Sequence, residues 1–278
     1  MPSPIAFLPL STYPEPVTEN AIVAAARYAT ALGHALQVRA YNVTIPNVYS
    51  PLGGMLIDVA LLARSAEEKS VAEGKRLKDL LEGPDGLNTS IQFSTRKVVL
   101  GAAFDAAATD ARYCDLSVLP WSAGTTSAQE MSEAVVFGSG RPAIIVPASA
   151  LPARPDHIAI AWDESRVAAR ALGDALSLLP QGGRVSVLTV KDEKPLTGHD
   201  VATSLAASLE RRGFKAKACS FSLGGKSIAE ALQQTAIAEG AQLLAMGGFG
   251  HSRFRDFVLG GATQGVLTNL HLPVLLSH

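Results

Sequence analysis

Short apolar runs alternate with longer amphipathic stretches along the whole chain. Residues 5–10 predict a strand, and residues 19–32 an alanine-rich helix closed by Gly33 in a C-cap position. A strand at 35–43, a long helix at 55–81 and a strand at 91–100 follow. A short helix at 102–112, a buried strand at 116–119, a helix at 130–137 and a strand at 142–146 complete a first series. Residues 147–156 hold three prolines and no periodicity, and read as an interdomain linker. The pattern then restarts. Strands are predicted at 157–162, 184–190, 215–221, 242–246 and 273–276, and helices at 166–179, 199–212, 227–238 and 263–270. Strands alternating with helices predict parallel βαβ units. The two series match segment for segment: 5–8 with 158–161, 115–119 with 242–246, and 141–145 with 272–276. This is the signature of an internal duplication. In that alignment Leu10 falls opposite Asp163.

Composition narrows the classes. At 278 residues, 47% of them hydrophobic, the chain is long enough for two domains. A formal net charge of −1 carries no basic excess, so neither nucleic acid nor an anionic membrane is expected as a partner. No apolar run reaches the length of a membrane span. The first ten residues hold three prolines and no basic region, so no secretory signal is expected. Cys114 and Cys219 read as ordinary thiols of a reducing compartment, and the expected location is cytoplasmic. His251, His271 and His278 are scattered, and no metal-ligand cluster is expected.

The candidate chemistry gathers near the end of the chain. Gly247, Gly248 and Gly250 leave an apolar strand, and Gly260, Gly261, Ala262 and Thr263 open a helix. Glycine lets a backbone approach a ligand closely, and a helix start attracts anions. The alternative is a set of glycines that only make turns. Asp163 ends the first strand of the second series, at the edge where open α/β sheets bind ligands. Its alternative role is to cap the helix that follows. A rival phosphate motif, Gly224-Gly225-Lys226-Ser227, lacks the earlier glycine of a Walker loop and reads as a strand-to-helix turn. Arg253 and Arg255 alternate with Phe254 and Phe257, and either neutralise phosphates or pair with surface carboxylates. His251 and Asp256 flank the glycines but read as a solvated loop. No nucleophile elbow or recognisable general base appears, so no catalytic residue is assigned.

The second half resembles a universal stress protein domain. Gly247, Gly250 and Gly260 match the three spaced glycines of that family's signature, Asp163 its first-strand aspartate, and Val190 its adenine-contacting valine. Gly261 departs from the signature, which has Ser or Thr there. Through the repeat, the whole chain resembles a tandem of two such domains. The resemblance implies an α/β fold of two Rossmann-like, mainly parallel, five-stranded sheets in order 3-2-1-4-5. A degenerate, non-binding domain would span 1–147, and a nucleotide-binding one 156–278. It implies binding of ATP or another adenine nucleotide, with Mg2+, at Asp163, Val190, Gly247, Gly250, Gly260, Gly261, Ala262 and Thr263. It further implies a stress-response role, with weak ATPase activity at most. The competing function is an interaction module that no longer uses nucleotide. The family's last strands commonly dimerise, so an intramolecular pseudo-dimer of the two halves is expected, and a homodimer beyond it.

Overall fold

The computed structural model describes residues 3–46, 59–83, 91–192, 200–248 and 261–278. In the first half the elements are β1 (Ile5–Ser11), α1 (Glu19–Ala31), β2 (Ala35–Thr44), α2 (Val59–Glu82), β3 (Ile91–Val99), α3 (Ala103–Ala111), β4 (Leu116–Trp121), α4 (Thr126–Gly138) and β5 (Ala143–Pro147). The second half continues with β6 (His157–Ala161), α5 (Arg166–Leu176), β7 (Arg184–Val190), α6 (Val201–Arg211), β8 (Lys215–Phe221), α7 (Ile228–Ala238), β9 (Leu243–Gly247), α8 (Gly261–Thr268) and β10 (Val274–Ser277).

Each half has the order 3-2-1-4-5, but the halves do not form two sheets. All ten strands join in one, ordered β3-β2-β1-β4-β5-β10-β9-β6-β7-β8. The pairings within each half are parallel, and β5 pairs β10 antiparallel, with Val274 opposite Ile145, Leu275 opposite Ile144 and Leu276 opposite Ala143. The two-sheet expectation is corrected for a physical reason. β5 and β10 are buried along their whole lengths, and an apolar edge strand left open is a template for unwanted pairing. Meeting each other removes both edges.

The core lies on the two faces of this sheet. On one, α1, α2, α5 and α6 press Ile22, Leu77, Leu172 and Leu209 onto Leu8, Val38, Ile160 and Val187. On the other, α3, α4, α7 and α8 press Ala107, Val135, Leu232 and Val266 onto Phe7, Leu119, Leu188 and Leu244. Strands covered on both faces read as continuous apolar runs, as these do. Both clusters cross the seam: Ile144 and Leu275 belong to the first, Ile145 and Val274 to the second.

Some boundaries moved. α4 starts at Thr126 rather than residue 130. Its small first turn is nailed down: Ser127 is buried and its Oγ donates to the Glu15 carbonyl at 2.7 Å. The segment after β5 is a compact turn, with the Ala150 amide donating to the Pro147 carbonyl and Arg154 Nε to the Leu178 carbonyl.

Removing buried methylenes at the seam should weaken the whole sheet. Leu275→Ala and Ile144→Ala are each expected to cost about 2–5 kcal/mol. The two changes should be non-additive, because the residues are direct partners. Urea unfolding followed by circular dichroism and by the fluorescence of Trp121 and Trp162, one in each half, should give a single coincident transition. Separate transitions for the two probes would contradict a shared core.

His157 supplies a pH test. It is 5% exposed, and its Nε2 lies 2.9 Å from Ser186 Oγ. Burial, and then the Arg184 guanidinium, hold its pKa below the ordinary value of 6.5. The unfolded chain therefore binds the proton more readily, and stability is lost as pH falls below that value. His157→Gln should flatten the drop in urea midpoint between about pH 7.5 and about pH 5.5. His34, whose pKa is also lowered by burial, should leave a residual slope. An unchanged profile would remove His157 from the account.

Candidate functional site

In each half the strand order reverses beside the first strand, between β1 and β4 and between β6 and β9. Ligands of open α/β sheets bind outside the carboxyl ends of strands at this point. In the second half, Asp163 follows β6 directly. Continuing the register from Ala161 opposite Leu188 brings it level with Val190 at the end of β7. Gly247 ends β9 on the other side. Three of the expected residues thus converge on one edge.

Local forces hold Asp163 there. Its Oδ1 accepts the Ser165 amide at 3.0 Å, an Asx turn that ties the carboxylate to the chain entering α5. The residue between, Glu164, has φ 60°, and among the described residues is the one non-glycine with positive φ. Such strain persists where the surroundings demand it, often at ligand sites. Asp163 is not the cap of α5. Ser165 is, accepting the Ala168 amide at 3.2 Å. A serine directly before the helical run was the available signal.

The glycines divide by cause. A Cβ on Gly247 would lie 2.6 Å from Val167 Cγ2 and 2.8 Å from the Ala168 amide nitrogen. Glycine is required at 247 by the packing of α5 under β9, whatever binds outside. Gly261 differs: a Cβ there would meet no atom of the described residues within 4 Å, and the residue is exposed at the first position of α8. Ala262 packs partly against the second-face core, and Thr263 is buried in the same turn. Val190 is 9% exposed in that core. Gly250, Gly260, His251, Arg253, Phe254, Arg255, Asp256 and Phe257 lie outside the described residues. In the rival motif, Ser227 caps α7, and Lys226 Nζ reaches Gln234 at 2.6 Å, as a turn requires.

The first half fills the same positions differently. Sheet register pairs Ala6 with Leu116 and Ile158 with Leu243, so Ser11, not Leu10, is the counterpart of Asp163. The Ser11 hydroxyl is spent on the Tyr13 carbonyl at 2.9 Å. The counterpart of Val190 is Tyr41, fully buried, whose hydroxyl donates to Asp110 at 2.8 Å. Burial works against the charge on Asp110, but hydrogen bonds from Arg39, Tyr41 and Arg96 outweigh it and hold the carboxyl below its usual range. Behind Tyr41, Thr12 Oγ donates to the Tyr41 carbonyl at 2.8 Å and lies 2.6 Å from Ser70 Oγ, which accepts the Val43 amide. Gly247 is matched by Pro120 and Gly248 by Trp121.

The two edges touch each other's helices. Trp121 Nε1 donates to the Leu267 carbonyl in the last turn of α8, at 2.7 Å. Reciprocally, Phe137 in the last turn of α4 stands edge-on to His278, whose Nδ1 lies 2.9 Å from the Gly248 carbonyl. Sequence reasoning missed these contacts because they join residues from opposite halves.

Comparison with known proteins agrees with this geometry. No curated protein matches the chain. Among solved structures, a universal stress protein from Archaeoglobus fulgidus DSM 4304 is similar at a TM-score of 0.67 and 16% identity, covering 98% of this chain and 97% of that one. A protein of Pseudomonas aeruginosa UCBPP-PA14, named as a candidate universal stress protein, is similar at a TM-score of 0.51 and 13% identity, covering 98% and 92%. These likenesses establish the shared fold over both halves. The model of the Universal stress protein family matches residues 155–278, and that stretch is similar to a universal stress protein domain.

Proposed function

We propose that the chain is a tandem universal stress protein whose second half binds one adenine nucleotide, ATP with Mg2+, and turns it over slowly or not at all. The observation that carries this reading is the carboxyl edge of the second half. Asp163, half-buried and held by its turn, stands level with Val190, and Gly261 is exposed at the start of α8 with no described atom within 4 Å of its Cβ position. Asp163 would accept hydrogen bonds from the ribose hydroxyls, and the Val190 backbone would meet the adenine. Amides of Gly261, Ala262 and Thr263, with Gly250 and Gly260, would take the phosphates at the electropositive helix end. Gly247 serves by letting β9 end close to α5. The Ser or Thr absent at Gly261 removes one hydroxyl, and the backbone donors carry the phosphates without it.

In the first half, Ser11 and Tyr41 replace the two adenosine-facing groups, which supports a single nucleotide per chain. The antiparallel seam supports reading the halves as an intramolecular pseudo-dimer. A role in a stress response belongs to the same proposal.

Calorimetry with ATP and Mg2+ tests the site. Asp163→Ala should weaken binding by about ten- to a hundred-fold, the worth of hydrogen bonds to a charged group. Gly261→Val should abolish most of it, because its side chain has room in the protein but would stand in phosphate space. Gly173→Ala, exposed on α5 with nothing within 4 Å of its Cβ, is the control. Gly138 is unsuitable as a control, since a Cβ there would lie 2.9 Å from Ala108 Cβ. No ATP binding by the parent protein would favour the interaction module instead.

A further inference from the structure

The edge of the first half is not closed. Between the turn after β1, the end of β2 and the starts of α3 and α4 lies a crevice of about 280 Å3. It lies at the carboxyl edge of the first half's sheet, off the ends of β1, β2 and β3. Small-molecule sites begin at about this size, roughly 300–1,000 Å3.

Its walls are apolar and aromatic. Tyr13, Pro14, Val43, Leu100 and Phe104 line it. Two carboxylates line it, Glu15 on the β1 turn and Glu130 on α4. Both are exposed, and neither has an ion-pair partner among the described residues. The described lining contains no lysine, arginine or histidine. At the start of α4, where a phosphate would be received, the Ser127 hydroxyl is already committed to the Glu15 carbonyl. That bond also ties the Glu15 turn to the helix bearing Glu130, so the backbone segments that carry the two carboxylates are joined.

These features reverse the charge preference of the second-half edge. A polyphosphate entering here would meet two carboxylates and no cation. A positively charged group would be drawn to the carboxylates and would have aromatic faces beside it. We propose that the first half binds a small organic cation, a single-ring amine, with its ring between the Tyr13 and Phe104 walls and its ammonium toward Glu15 and Glu130. The site is separate from the nucleotide edge and does not depend on it.

Tyramine, its neutral alcohol analogue tyrosol and its anionic analogue 4-hydroxyphenylacetate keep one ring and change only the charge. Titrated calorimetrically into the full chain, tyramine should bind roughly ten-fold or more tighter than tyrosol, and 4-hydroxyphenylacetate should not bind. The double variant Glu15→Gln/Glu130→Gln, at two exposed positions, should keep the parent's melting temperature and bind tyramine no better than tyrosol. Phe104→Leu should weaken tyramine and tyrosol together. Equal binding of all three probes, no binding of tyramine, or full tyramine affinity in the double variant would each overturn the proposal. ATP titrated into the same double variant should behave as in the parent, so failure here leaves the nucleotide reading standing.

Discussion

The antiparallel pairing of β5 with β10 is the contact on which the rest of the molecule depends. It joins two parallel sheets of opposite direction through strands buried on both faces. Hydrophobic burial at the seam therefore belongs to neither half alone. The opposed directions also have a geometric consequence. The carboxyl edges of the halves lie at opposite ends of the sheet. α4 begins at the first edge and ends against Gly248 at the second, while α8 begins at the second and ends against Trp121 at the first. The seam thus places each half's anion-attracting helix between the two candidate sites.

The two edges have the same scaffold and opposite contents. In the first half, hydroxyls and a tyrosine consume the polar capacity near β1 and β2. Thr12, Ser70 and Tyr41 satisfy one another and the strand ends, so burying them costs little. In the second half, Val190 takes the place of the tyrosine, and an Asx turn with a strained Glu164 holds Asp163 just beyond the end of β6. Keeping one residue in a disfavoured conformation costs on the order of 1–3 kcal/mol.

Much of this was legible in the residue pattern. Apolar runs placed all ten strands, and the restart after the proline-rich segment exposed the duplication. What escaped had definite causes. A strand buried on both faces has no polar alternation to set its register, so Leu10 was aligned where Ser11 stands. The first turn of α4 is made of Thr126, Ser127 and Ala128, which carry no apolar stripe and are fixed by the distant Glu15 carbonyl. Gly247 invited a phosphate reading, but its demand comes from Val167, a residue adjacent only in space. The meeting of the two last strands was expected, but its outcome, one ten-stranded sheet in place of two, follows from the antiparallel pairing of β5 with β10, which periodicity within either half does not encode.

The asymmetry of the two edges is the central claim, and the stoichiometry of nucleotide binding tests it most directly. Native mass spectrometry of the intact chain with ATP and Mg2+ should show one added nucleotide and no second. Two nucleotides binding with equal ease, or none at all, would contradict the account.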